Sequence, residues 1–493
     1  MLNLDTYSSL LSTQPIVSLS KTIVLDAETP VTVLYRFLND GDFVFLEGIS
    51  EQVKHDRFSY LGLNPYLTIT CNDKDFELKY DNGSVENHSG NVYDFLEELL
   101  SKYKLDVSDH NIPFQSGVLG NICYEYFTHL EDVELPGKRT IGLPWAKFIV
   151  PRTMLVFDNL YNRLTIVENT FSESVTDKEL AYDQAQSRLE STLKKILKPL
   201  SQEILPLPND IDPYDEIDHS INVTPEKFEA SISTCKDYIS AGDIFQIQVS
   251  RRASIPYQND PILLYRYLRN YNPSPLLFYL KFDDYALVGA SPEILVNVDN
   301  DKMIIRPLAG TRKRYSKEKT EPETCEELVN NEKEIAEHIM LVDLARNDIG
   351  RACELGSVAV TELMNTEKYT HVIHMVSEVE GTLRKECTSV DALKYGYPAG
   401  TVTGTPKIRA MEIISELEEE QREFYSGGVV FLDFTGDLKS ALAIRSIAVK
   451  DGVAYTQAAA GIVADSLPED EFKETKNKMR SCLSAMHQFR TSL

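Results

Sequence analysis

Hydrophobic and polar positions along the chain separate into a helical period and an extended one. Residues 182–199 interleave apolar and charged side chains as a surface helix does. Three prolines and several acidic residues then break the pattern from Leu205-Pro206-Leu207-Pro208 through Asp212-Pro213. The break separates an amino-terminal region, 1–205, from a carboxy-terminal region, 220–490. Beyond it, Thr224 is a good N-cap for a helix with Phe228, Ile232 and Ile239 on one face. Gly242-Asp243 stops that helix, and residues 245–249 read as a short strand. One long helical pattern covers 321–346, with Leu328, Ile335, Ile339 and Val342 on its apolar stripe, and another covers 406–419. Apolar runs at 427–434, 441–449 and 453–463 read as a meander turned by Thr435-Gly436-Asp437 and Asp451-Gly452, the latter a strong hairpin signal. Antiparallel strands among long helices predict an α+β class rather than a doubly wound parallel sheet.

Composition narrows the setting. Of 493 residues, 42% are hydrophobic and 26% charged, an ordinary globular balance. No apolar run approaches a membrane span, so no membrane association is expected. The opening MLNLDTYSSLLSTQPIVSLSK lacks the basic-then-apolar order of an export signal, which makes the cytoplasm the expected compartment. The net charge of -26, with no basic run, argues against a nucleic-acid partner and for solubility. In so acidic a chain, carboxylates with a chemical role have to be found by position. The seven cysteines are scattered and never form a CxxC pair, so they point to neither a disulfide framework nor a zinc site.

Five features could carry chemistry. Glu334 and Glu337 lie three apart on a predicted helix, as do Glu471 and Glu474, so each pair projects from one face. Two such faces brought together make a hard oxygen site suited to Mg²⁺; spacing alone also fits solvated surface. Gly400-Thr401-Val402-Thr403-Gly404-Thr405-Pro406-Lys407 could cradle an anion at a helix start, with Thr405 as N-cap and Lys407 adding charge, or be a plain helix entry. Glu293, just past an apolar strand, fits a general acid or a polar strand end. His374 sits among β-branched residues, where a satisfied core histidine is the commoner outcome. Arg445 is a charge in an apolar strand and needs a partner, for which a bound carboxylate is one option.

These pieces occur together and in order in one family. GDIFQIQVSRR (242–252), SPEILV (291–296), PLAGTRKR (307–314), EKEIAEHIMLVDLARNDIGR (332–351), YTHVIHMVSEVEG (369–381), YPAGTVTGTPKIRAMEII (397–414) and AAAGIVADSLPEDEF (458–472) resemble the chorismate-utilising enzymes. The amino-terminal FVFLEGIS and RFSYLGLNPYLTI are similar to the regulatory part of anthranilate synthase component I. The resemblance implies a two-lobed α+β sandwich of largely antiparallel sheets with surrounding helices. It implies Mg²⁺ held by Glu337 and Glu474, with Glu334 and Glu471 alongside, fixing the ring carboxylate of chorismate. Gly400 and Thr401 would bond a substrate carboxylate. Tyr425, Arg445 and Gly461 would grip the enolpyruvyl side chain, with Ala460 and Lys478 in the same substrate-binding set. Glu293 matches the family's general acid, His374 the histidine of pyruvate elimination, and Thr311 a third catalytic position.

The same resemblance implies conversion of chorismate and ammonia to anthranilate and pyruvate in tryptophan biosynthesis. Aminodeoxychorismate formation is the alternative, and a non-catalytic chorismate-binding regulatory subunit is a more distant one. Water-using relatives carry a lysine where this chain has Gln246, which is no base at neutral pH, so ammonia is favoured. Ala309 replaces the lysine of many aminodeoxychorismate synthases. No cysteine stands in a Gly-x-Cys-x-Gly setting, so a separate glutamine amidotransferase subunit is expected, in a hetero-oligomer. The tryptophan pocket of the family maps to Glu47, Gly48, Pro273 and Pro275. Gly48 stands where serine is usual and Leu276 where tyrosine is usual, which argues against tight inhibition by tryptophan.

Overall fold

The computed structural model of the chain describes residues 2–48, 57–105, 112–135, 137–200, 205, 217–272, 274–315, 319–369 and 372–490. The proline-marked break at 206–216 lies outside them. The strand Phe43–Gly48 is buried at every position. Phe43 and Phe45 enter one apolar cluster with side chains of the helices Ile262–Tyr271 and Pro468–Gln488, while Val44 and Leu46 enter another. Both faces of this strand are covered, which is why its sequence does not alternate. Gly428–Asp433 sends Val429 and Phe431 into that same inner cluster. Its Val430 and Leu432 face a third cluster, shared with the helices Val92–Lys102, Glu332–Gly350 and Ser389–Gly396. Two sheet layers thus share an interior and carry helices on their outer faces, the expected α+β sandwich.

One antiparallel path links the layers. It runs from Gln246–Pro256 through Val453–Ile462, Ser446–Lys450, Tyr285–Ser291, Leu276–Lys281 and Phe43–Gly48. It continues through Phe58–Asn72, Ala146–Asp158, Gly117–Ile122, Gly428–Asp433 and Leu438–Leu442. Asn297–Asp299 and Lys302–Ile305 then lead to Val372–Thr382, which also pairs with Leu308–Lys313. Strands from both sides of 206–216 therefore pair with one another. Gln246 and Gly461 lie at one end of the path, Thr311 and His374 at the other.

Three local expectations change. The pattern at 321–346 is two helices, Glu321–Asn330 and Glu332–Gly350, because Asn331 takes an extended backbone and its side chain caps the second. The break resets the buried face, so Ile339 is exposed while Leu341, Val342 and Ala345 are buried. The run 441–449 is split into Leu438–Leu442 and Ser446–Lys450, with Arg445 at φ 49° in the gap. Thr405 pairs with Gln246 instead of capping a helix, and Pro406 precedes the helix Lys407–Leu417. No helix among the described residues is long and apolar enough to cross a membrane.

Candidate active site

Glu293 follows the strand Tyr285–Ser291, where the Ser291 hydroxyl donates to the Glu293 carbonyl at 3.1 Å and accepts its N–H at 3.3 Å. This turn carries a side chain only 8% exposed. Thr401 donates its hydroxyl to Glu293 Oε1 at 2.5 Å. Burial pushes the carboxyl up to about 7, against the Thr401 bond and the nearby Lys478 charge. Thr401 rides on the short turn Gly400–Val402. Gly400 leaves room there for Leu344, whose Cδ2 would stand 1.9 Å from a Cβ at this position.

His374 approaches from the far end of the sheet path. Its Nδ1 lies 2.9 Å from the Thr311 hydroxyl and 3.3 Å from the Gly310 carbonyl. The tautomer that serves that carbonyl has its proton on Nδ1 and leaves Nε2 to accept. Burial lowers its pKa to about 4, the Gly310 bond opposes this, and the Arg445 charge adds to it. Arg445 donates from Nη1 to the Lys478 carbonyl at 2.8 Å and forms no ion pair among the described residues. Burial lowers its pKa, against the pull of Tyr425 and Glu474. Tyr425 is buried, and burial raises its pKa against the Arg422 and Arg445 charges. Lys478 spans Glu474, at 2.5 Å, and the Ala459 carbonyl, at 2.9 Å.

Gly461 and Gln246 also meet here. A Cβ on Gly461 would stand 3.0 Å from Gln246 Nε2 and 2.9 Å from Gln248 Nε2. Ala460, on the opposite face, buries its methyl with Val249 and Ile462. Lys407 does not cradle an anion: it is paired at 2.7 Å with Asp348, and both are nearly buried. Asp348 was invisible to sequence reasoning because its partner lies 59 residues away.

Glu334 and Glu471 sit in the first turns of Glu332–Gly350 and Pro468–Gln488, where helix dipoles favour carboxylates, and Glu337 and Glu474 follow in the second turns. Glu334 is bonded to Arg312 at 2.7 Å and lies against Gly310, whose φ of 76° suits glycine. Glu337 is raised by burial and by Glu334 and Glu474, with Lys333 opposing. Glu471 is raised by burial, with Glu474 adding to the shift and Ser466 and Lys478 opposing. The two pairs therefore feel one another. Glu471 Oε2 is buried with no hydrogen-bond partner. Among the described residues no three acidic, histidine or cysteine groups already form a tight cage. An orphaned buried carboxylate oxygen among mutually repelling carboxylates nevertheless fits a hard cation such as Mg²⁺.

The segments of the regulatory motif also meet: Gly48 pairs with Leu276, next to Pro275. Glu47 is buried and held by Arg269 through two 2.8 Å bonds and by the Tyr265 hydroxyl. Pro273 lies outside the described residues.

The chain is similar to known proteins over nearly its whole length. The family model for chorismate binding enzyme matches residues 47–484. Anthranilate synthase component 1 of Acetivibrio thermocellus is 39% identical over 479 residues, covering 96% of both chains. The crystal structure of anthranilate synthase component I from Streptococcus pneumoniae TIGR4 superposes with a TM-score of 0.77 at 35% identity, covering 94% of this chain and 99% of that one. The menaquinone-specific isochorismate synthase of Escherichia coli, at 18% identity and a TM-score of 0.71 over 98% of both chains, shares the fold. The chain belongs to the chorismate-binding enzymes, among the relatives of anthranilate synthase component 1.

Proposed function

We propose that the chain is the large subunit of an anthranilate synthase, a lyase that converts chorismate and ammonia to anthranilate, pyruvate and water in tryptophan biosynthesis. The observation that carries this reading is Arg445, a partly buried guanidinium with no ion-pair partner among the described residues, in electrostatic reach of His374, Tyr425 and Glu474. A partly desolvated cation without a counter-charge calls for an anion, and chorismate brings two carboxylates. Arg445, Tyr425 and Lys478 would bind it, with the Gly400–Val402 turn alongside.

Ammonia adds to the ring as the ring hydroxyl leaves. Glu293, protonated up to about pH 7, gives that hydroxyl its proton, and it departs as water. His374, neutral above about pH 4, accepts a ring proton as the enolpyruvyl group leaves to become pyruvate and the ring aromatises. Gln246 offers no base to activate water, so ammonia is the favoured nucleophile. Glu337 and Glu474, with Glu334 and Glu471 alongside, are the residues that would hold Mg²⁺; the ion would neutralise and orient the ring carboxylate.

The ammonia would come from a glutamine amidotransferase subunit in a cytoplasmic hetero-oligomer. The relatives' designation as component 1 supports a partner. The test is nitrogen source. Alone, the chain should consume chorismate with an ammonium salt and not with glutamine, until such a subunit is added. Glutamine-dependent turnover by the chain alone contradicts the need for a partner.

A further inference from the structure

The outer edge of the strand Gln246–Pro256 is covered in two short pieces. Gly404–Thr405 pairs with Gln246 and Ile247, and Ser220–Ile221 pairs with Ala253 and Ser254. In the gap the Gln248 N–H donates to the Thr403 carbonyl at 2.8 Å and the Arg252 carbonyl accepts the Asn222 N–H at 3.0 Å, and side chains satisfy further backbone groups. Glu418 accepts the Ser250 N–H and hydroxyl, each at 2.8 Å, and Arg422 Nη2 donates to the Gln248 carbonyl at 2.7 Å. The two side chains are joined by parallel 2.8 Å bonds, so a fork-to-fork ion pair stands where a strand would otherwise lie.

The remaining arm of Arg422 points elsewhere. Nη1 donates to the Val402 carbonyl at 2.7 Å, one residue beyond Thr401. The guanidinium is fully buried, lies 4.7 Å from the ring centre of Tyr124 and 5.9 Å from that of Tyr425. Its own backbone is fixed as well, since buried Glu125 accepts the N–H groups of Arg422 and Glu423 at 2.6 and 3.0 Å. One planar cation therefore joins the strand Gln246–Pro256, the turn that carries Thr401 and the ring of Tyr425. A lysine, with a single ammonium on a flexible stem, cannot serve those acceptors together.

We infer that Arg422 is a positioning residue: it holds the Gly400–Val402 turn against the strand Gln246–Pro256 so that Thr401 meets Glu293. The inference rests on the proposed role of Glu293 as proton donor. Arg422 itself acts through Thr401 and not on the reacting atoms.

The test is steady-state kinetics of the full chain with chorismate, Mg²⁺ and an ammonium salt, read against pH at constant free ammonia. In Arg422→Lys, kcat is expected to fall roughly 10²-fold, as a shift of about 1 Å can cause, with a smaller rise in the KM for chorismate because the same turn lies along the substrate. Its alkaline limb moves to higher pH, because a Glu293 carboxylate without the Thr401 hydroxyl loses a bond that favours its charged form. Thr401→Val gives the same displacement, and the double variant adds no more. Glu418→Gln keeps the bonds from Arg422 to the two carbonyls, so it lowers the melting temperature and leaves the limb in place. If Arg422→Lys does not fold, Arg422→Gln with Glu418→Gln removes both buried charges together and must show the displaced limb. An unmoved limb in the Arg422 variants overturns the inference and leaves a structural ion pair. A wild-type chain without turnover overturns the proposed function, and this inference with it.

Discussion

Thr401 reaches Glu293 across 2.5 Å, although 108 residues separate them in the chain. The contact places a hydroxyl on the one carboxyl of the site that burial brings to about 7. A proton donor at neutral pH needs such a balance: enough burial to keep the proton, and one bond to aim the group.

Glu293 sets the alkaline limb of the reaction. Because the protonated form is the donor, kcat at constant free ammonia should fall as pH rises through about 7. Glu293→Gln should lose turnover yet gain stability above that pH. A carboxyl raised from 4.5 gives stability that is fully present below its unfolded pKa and lost as pH climbs through about 7. Removing it should therefore stabilise the chain by roughly 1–3 kcal/mol well above neutrality. Denaturant titrations at acid and alkaline pH check this, and equal stability of both proteins throughout contradicts it.

Loss of His374 should act late. His374→Ala is expected to slow pyruvate release by roughly 10²–10⁴-fold, the usual worth of a positioned base. An aminated product that keeps its enolpyruvyl group should then accumulate. Because the imidazole is neutral above about pH 4, it should impose no limb near neutrality. Chromatography of the products decides the matter, and an unchanged anthranilate-to-pyruvate ratio at unchanged rate removes His374 from the mechanism.

The carboxylate pairs predict a metal requirement. Glu337→Gln should abolish Mg²⁺-dependent turnover and the heat of Mg²⁺ binding in calorimetry. Unchanged binding in that variant would show that the ion is held elsewhere.

At the regulatory motif, Glu47 is already occupied by Arg269 and Tyr265. Tryptophan added to the assay should leave the rate little changed. Arg269→Met should cost about 2–4 kcal/mol in thermal or denaturant unfolding, because it strands a buried carboxylate whose partner was partly exposed. A mild effect would mean that Glu47 finds another partner or protonates.

Much of the site is legible in the chain because its parts are local. The three-residue spacing of Glu334 with Glu337, and of Glu471 with Glu474, needs only a helix to put both on one face. Glu293 follows an apolar run, and its burial follows from that. What spacing cannot convey is which distant segment each part meets. The Lys407–Asp348 pair turns an apparent anion cradle into a brace between two helices. Arg445 reads as a strand residue, but its left-handed backbone breaks the strand and frees its guanidinium. Arg422 follows an acidic run that resembles solvated surface, yet it is buried through contacts with Val402 and Gln248. The helix break at Asn331 was within reach, since asparagine is a strong N-cap, but the continuous apolar stripe masked it.

Product analysis tests the central assignment most directly. The purified chain would be incubated with chorismate, Mg²⁺ and an ammonium salt at alkaline pH, and the products quantified. Anthranilate and pyruvate in equal amounts are expected. An aminated product that retains the enolpyruvyl group, or no Mg²⁺-dependent consumption of chorismate, contradicts the assignment.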